Sequence, residues 1–380
     1  MRITESAELA DWRVEVETFV EAFGVDYFRT RYREREYPHE FYDAAVDRGW
    51  VGLSSPERLG GAGRSHVEEA VLLEALAAYG YDFAMPVLLT ATGARAVVDH
   101  GTDDQAERFV APACDGEMRF SIGLTEPGSG SDAAGLRTTA VRDGSAYVLD
   151  GEKTYQSGAA APGTHVAAYV RTDPEAEREE GISLLLVPND ADGVTVDTLP
   201  LVARKAVGTT RLGFDGASVP VANRVGAEGA GWEILTDHLV LEHTYMAAVM
   251  VGNAATAVEA ALSAARDRER FGRRVVDFQA IKHRLAEMRT DVDAARLLVY
   301  RAASALDEGT ATRRHAAQAK LRAGETLKSV SSEAVQTLGG QGLHPDNDVE
   351  RYWREGASAT VAGGTSEIQR SVVGNALLDD

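Results

Sequence analysis

Apolar residues recur along this chain with two periods, and the period changes twice. The first third is spaced as helix. Val67 to Tyr79 reads V-E-E-A-V-L-L-E-A-L-A-A-Y, apolar at helical intervals with no breaker. Ser54-Ser55-Pro56 and Leu59-Gly60-Gly61-Ala62-Gly63 form a turn-rich stretch before it, and a second helix is expected over Asp104 to Ala111. From about Glu117 to Asn223 the runs are short, β-like and bounded by Gly, Asp and Pro. They include Ala146-Tyr147-Val148-Leu149, Val166 to Val170, Ile182 to Val187 and Val194 to Leu199. Asp150-Gly151 after the first of these is read as a turn. An antiparallel barrel or sandwich is expected here. From Gly229 long helical patterns return over Ile234 to Arg266, Phe278 to Asp307 and Arg313 to Leu338, which implies an up-and-down bundle. The expected domains are therefore 1–116 helical, 117–223 β and 224–380 helical.

A chain of 380 residues exceeds what one core needs. Hydrophobic residues at 44% and charged residues at 26% are globular values. No uninterrupted apolar run approaches the roughly 18 residues of a membrane span. Met1 to Trp12 is acidic and polar and lacks the layout of a secretory signal, so a cytoplasmic location is expected. The single cysteine, Cys114, can make neither an internal disulfide nor a thiolate metal site, and reads as a structural small residue. The net charge of −20 argues against nucleic acid or an anionic membrane as partner.

Five segments carry candidate chemistry. Leu124-Thr125-Glu126-Pro127-Gly128-Ser129-Gly130-Ser131-Asp132 offers bare N–H groups and hydroxyls suited to a phosphate or a flavin edge; a plain surface turn fits the loop alone as well. Gly151 to Gly158 carries Tyr155 and then Ser157, an aromatic and a hydroxyl that could lie along a flat heterocycle, or an ordinary strand. Arg266 to Arg274 holds five arginines, whose forks suit a pyrophosphate as well as a solvated helix end. Gln336-Thr337-Leu338-Gly339-Gly340-Gln341-Gly342 ends a helix with glycines. Gly363-Gly364-Thr365-Ser366-Glu367-Ile368-Gln369-Arg370 begins one, with Thr365 or Ser366 as cap and Glu367 in its first turn.

Taken together in this order and spacing, these segments resemble the acyl-CoA dehydrogenase family. The resemblance starts near Gly49-Trp50-Val51-Gly52-Leu53 and covers almost the whole chain. It implies an N-terminal helical domain, a middle β domain and a C-terminal four-helix bundle. It also implies a homotetramer, with FAD at subunit junctions and electrons passed to an electron-transfer flavoprotein. By resemblance, Leu124, Thr125, Gly130 and Ser131 line the flavin and its phosphates, and Tyr155 stands where many members have tryptophan. Ser157 stands where a hydroxyl bonds near flavin N5. Arg268, Phe271, Gln279, Gln336, Gly339 and Gly340 are expected to hold the FAD of a neighbouring subunit, and Thr365 and Glu367 to touch its diphosphate and ribose region.

Many members carry the base that removes the α proton just before the Gly-Thr of this last motif. That position is Gly363 here, which keeps only an N–H to offer the thioester oxygen. The isovaleryl and long-chain branches place the base on an earlier helix, and Glu242 in Leu239-Val240-Leu241-Glu242-His243 falls there. Ser131 and His243 are expected at the substrate. His243 replaces a family arginine and Val240 a family aspartate, which leaves the seating of the CoA arm in question; Arg354-Glu355, where Arg-Asp is usual, is a milder change. Two other readings stay open: a flavin monooxygenase of related fold, and a non-catalytic subunit of a hetero-oligomeric dehydrogenase.

Only five of the 39 basic residues are lysine: Lys153, Lys205, Lys282, Lys320 and Lys328. An acidic, lysine-poor surface suits a halophile, and a GC-rich genome gives the same bias through arginine codons. Thermal unfolding in molar salt separates the two: a halophilic chain gains stability there, and a chain shaped by codon usage alone does not.

Overall fold

The computed structural model describes residues 6–379. Helices come first: α1 (Ala7–Phe23), α2 (Val25–Glu34), α3 (His39–Val46), α4 (His66–Leu76) and α5 (Tyr81–His100). Eight strands follow: β1 (Arg119–Gly123), β2 (Thr139–Asp143), β3 (Ala146–Ser157), β4 (Thr164–Arg171), β5 (Ile182–Pro188), β6 (Val194–Thr198), β7 (Thr209–Pro220) and β8 (Arg224–Val225). Helices return as α6 (Gly231–Asp267), α7 (Gln279–Asp307), α8 (Arg313–Leu338), α9 (Asp348–Ala359) and α10 (Ser366–Asp379). A two-stranded hairpin, β9 (Glu269–Arg270) and β10 (Arg273–Arg274), lies between α6 and α7. The helical, β, helical order read from the hydrophobic periods is the order found.

Two compact units form. One joins the chain up to Arg33 with Ser65–Ala84 and Val240–Asp380; the other joins Glu34–Arg64 with Met85–Leu239. In the first, α1 buries Trp12, Val16, Phe19 and Val20 along one stripe, and Ser6 caps its start by accepting from Leu9 N. Ser65 and Glu68 close a capping box at the start of α4, whose residues 69–76 are all buried. The middle of α6 is enclosed on every side, every residue from Thr244 to Ala254 being buried. By length and composition alone α6 could cross a membrane, but 67% of its most apolar window is buried within the chain. α7 and α8 match their sequence periods to within a residue.

In the second unit the sheet runs β6-β7-β3-β2-β4-β5-β8, with β1 added beside β4. Most pairs are antiparallel, but β1 and β4 pair in parallel over five residues. Asp150-Gly151 corrects the turn reading: it lies inside β3, not at its end. The pair sits at a register slip against β7, where Gly151 takes φ +141° and a Cβ would stand 2.7 Å from Thr138 Oγ1. A bulge needs the same backbone freedom as a turn, so the dipeptide signals both. The actual turn is Gly144, at φ +58°, between β2 and β3. The segment read as a helix over Asp104 to Ala111 is helical but changes register, with a π-helical stretch at Ala106–Val110.

Glu74, within enclosed α4, shows how the first unit handles a buried charge. Arg296 Nε donates to Glu74 Oε1 at 2.8 Å, Tyr300 OH donates to Oε2 at 2.8 Å, and Arg13 Nη1 stands 3.2 Å from Oε1. Burial alone would raise this carboxyl, but Arg296 and Arg13 outweigh it and hold it below its ordinary 4.5. Such a group stabilises the fold above its unfolded value, and the contribution is lost as pH falls through the lowered one. Glu74→Gln should cost about 2 kcal/mol at neutral pH, because the arginines keep part of their hydration. Denaturant unfolding should show that cost shrinking below about pH 4.5.

Candidate active site

Within the second unit the glycine-rich loop leaves the sheet where β1 ends. Thr154 N donates to Thr125 O at 2.8 Å, and Glu126 and Ser129 exchange backbone hydrogen bonds. Leu124 and Thr125 thus stand beside residues 153–154 of β3. Ser129 Oγ is buried and donates to Asp132 O. Gly130 and Ser131 are exposed, and nothing lies within 4 Å of where a Cβ on Gly128 or Gly130 would stand. The loop therefore shows bare backbone to its surroundings.

Tyr155 follows directly on β3. It has φ +68°, rare for a residue with a side chain, and it is 59% exposed. The cause is a second bulge, between Thr154 and Gln156, which turns the ring out of the alternating pattern. Strain of this kind persists where the surroundings impose it, and it clusters at working sites. Ser157 is half-buried, and its carbonyl accepts from Ser121 Oγ at 2.8 Å. The loop is tied to the residues of β3 directly before Tyr155, through Lys153 and Thr154.

Within the first unit Glu242 and His243 are half-buried on α6, just before its fully enclosed stretch. Met246, one turn on, shares the face of Glu242. The Gly363-Gly364 turn is seated on that face. A Cβ on Gly363 would stand 2.7 Å from Met246 Sδ, and one on Gly364 would stand 3.9 Å from His243 Nε2. Both glycines have positive φ, +62° and +78°. Lys320 Nζ, on a residue 1% exposed, donates to Gly364 O, and Gln369 Nε2 donates to Gly363 O at 3.4 Å. The structure thus brings the Gly363-Gly364 turn against Met246 and His243 of α6, more than a hundred residues earlier in the sequence.

Thr365 caps α10, its Oγ1 accepting from Ile368 N at 3.3 Å. The exposed Glu367 carboxyl is held below its usual range by its own backbone N–H and by the Thr365 hydroxyl. Both residues line a cavity of about 540 Å³ with Lys328, Ser329, Ser332 and Arg370. Arg268 Nη1 donates to Thr337 O at 3.2 Å and to Leu338 O at 2.8 Å, so it ties the arginine-rich segment to the end of α8. Gln336, Gly339 and Gly340 are exposed at that end. Phe271 tips the β9–β10 hairpin with φ +54°, is 95% exposed, and meets Phe278 edge-on at 6.2 Å. Gln279 opens α7 in an exposed position.

Motif reading missed Lys153, Lys320, Met246 and the role of Glu126. The scarcity of lysine was the signal for two of them: in a chain that uses arginine almost everywhere, Lys153 and Lys320 are both buried and both hold a motif loop.

Family models described as acyl-CoA dehydrogenase N-terminal, middle and C-terminal domains match residues 6–117, 121–217 and 229–378. The chain is 33% identical to the caffeyl-CoA reductase-Etf complex subunit CarC of Acetobacterium woodii, covering 90% of each chain. It is also 33% identical to the probable acyl-CoA dehydrogenase YngJ of Bacillus subtilis, again covering 90% of each. Among solved structures, butyryl-CoA dehydrogenase from Megasphaera elsdenii superposes over 100% of both chains with a TM-score of 0.94 and 30% identity.

The seat of Gly363 gives a direct test. Gly363→Ala should destabilise the protein by about 1–2 kcal/mol, through positive φ and the Met246 contact together. In a Met246→Ala background the same change should cost only the part due to φ, so denaturant unfolding of the double-mutant cycle should show a favourable coupling.

Proposed function

The chain belongs to the acyl-CoA dehydrogenase family, and from that premise we propose that it binds FAD and oxidises an acyl-CoA thioester to the 2-enoyl-CoA, with Glu242 as base. The observation that carries the reading is the seating of the Gly363-Gly364 turn on the α6 face that bears Glu242 and Met246. An α proton beside a thioester is too weakly acidic to leave unaided, so a base and an oxyanion donor must act on adjacent atoms. Glu242 takes that proton. The Gly363 N–H donates to the thioester oxygen as charge develops there. Flavin, when bound, accepts the hydride that leaves the β carbon.

The open glycines of the 124–132 loop and the outward ring of Tyr155 fit a flat heterocycle with a phosphate tail. Leu124, Thr125, Gly130, Ser131, Tyr155 and Ser157 are therefore assigned to the cofactor. The cavity beside the α10 N-terminus supports a diphosphate and ribose contact at Thr365 and Glu367, because a helix N-terminus favours anions. Phe271 is an apolar side chain held out on a hairpin, and such exposure supports contact with a second copy of the chain. On this reading Arg268, Phe271, Gln279, Gln336, Gly339 and Gly340 serve the cofactor of a neighbour in a homotetramer. Ser131 and His243 seat the substrate. The name of the Acetobacterium relative, a subunit of an Etf complex, supports an electron-transfer flavoprotein as acceptor.

The test is an anaerobic titration of the purified protein with a panel of acyl-CoAs, read at the visible flavin band. One thioester should bleach it, and Glu242→Gln should slow the bleaching by about 10²–10⁴-fold while flavin stays bound. Bound flavin that no thioester bleaches would overturn the assignment.

A further inference from the structure

Glu126 and Lys153 form an ion pair in the interior of the second unit. Lys153 is 0% exposed and Glu126 8%. Lys153 Nζ donates to Glu126 Oε1 at 2.8 Å and to Leu124 O at 3.2 Å. The Glu126 carboxylate also accepts from Arg137 N at 2.7 Å and Thr138 N at 2.9 Å. Three donors on one carboxylate fix it from both oxygens, and none of the three can be replaced by an acceptor.

The position of the pair gives it a consequence. The β1 ladder with β4 ends at Gly123 paired with Ala168. Leu124 O then needs another donor, since a buried carbonyl without one is costly. Lys153 supplies it, and the next residue of β3, Thr154, supplies the donor for Thr125 O. Tyr155, with its strained φ, comes directly after. One short piece of β3 thus carries the anchor of the loop and the exposed ring together.

We propose that Lys153 and Glu126 are positioning residues for the cofactor, setting the place of Leu124 and Thr125 through the Leu124 carbonyl without touching the flavin themselves. The inference rests on the reading that flavin lies against residues 124–131 and Tyr155. Lysine is required because its compact head with three donors can be wholly enclosed, whereas a guanidinium brings five donors in a rigid fork. Burial pushes the Lys153 ammonium down to about 8, against the opposing pull of Glu126. Burial would raise the Glu126 carboxyl, but Lys153 and the Thr138 hydrogen bonds hold it low, so its charge persists at neutral pH. Among the described residues, Glu126 is the charged group that acts on Lys153. As pH rises through about 8 the lysine loses its proton, the pair loses its attraction, and the grip on Leu124 O weakens.

The experiment uses the full chain, freed of flavin and titrated with FAD by fluorescence quenching from about pH 6.5 to about 9. Wild-type affinity should fall as pH passes about 8, with the midpoint moved upward by bound cofactor. Lys153→Met should bind FAD about tenfold more weakly at neutral pH and lose the pH dependence. Lys153→Arg should fail to rescue it. Glu126→Gln should weaken FAD similarly, because its amide sets a donor against a backbone donor, and the double variant should be no worse than either single one. A role confined to stability would lower the unfolding temperature of the apoprotein and leave the pH profile of FAD binding as in wild type. If Lys153→Met does not fold, Glu126→Gln and the wild-type profile decide. Variants that bind FAD as wild type does, or a wild-type affinity flat across that range, would overturn the inference alone. A wild type that takes up no flavin would overturn the underlying reading and the inference with it.

Discussion

A backbone carbonyl that leaves a helix or sheet inside a protein must find a donor, and the working loops of this chain are built around that constraint. Three motif loops break from regular structure, and each is met by one cation. Lys153 takes Leu124 O where β1 ends, Lys320 takes Gly364 O before α10, and Arg268 takes Thr337 O and Leu338 O at the end of α8. The choice of cation follows burial. The two cations that are themselves buried are compact ammoniums, and the partly buried helix end uses the fork that reaches two carbonyls at once.

This scheme explains how open glycine-rich segments keep one shape. Gly128, Gly130, Gly339 and Gly340 have nothing near where a side chain would be, so neighbours do not hold them by packing. Their places are set by the carbonyl anchors beside them. The glycines remain free to let a ligand approach the backbone, while the anchors carry the cost of order. Glu242 is placed by the opposite means, on a helix whose next turns are enclosed on all sides and cannot shift without moving the core.

The large divisions of the fold were legible because they rest on periodicity. α7 and α8 follow from apolar spacing alone, and β4 and β5 from short runs between breakers. What was not legible depended on distance in sequence. Asp150-Gly151 reads as a turn because glycine reports backbone freedom and not direction, and only its partner β7 shows that the strand continues. β7 itself carries small and polar residues at its outward positions and gave no strong strand pattern. At the candidate site, the motifs named the loops but not what holds them. The roles of Lys153, Lys320 and Met246 lie in contacts between segments that periodicity does not link, and rarity of lysine was the only trace of two of them.

The contact between Met246 and the space beside Gly363 also bears on how such a site can change over generations. A carboxylate at residue 363 would need room that the Met246 thioether already fills, at 2.7 Å from the first atom of any side chain there. Placing a carboxylate at 363 therefore asks Met246 to change or move as well. A smaller residue at 246 would make that room, but alone it leaves a void against Gly363. The pair of Met246 and Gly363 is in that sense ratcheted: selection acting one substitution at a time can keep it more readily than exchange it.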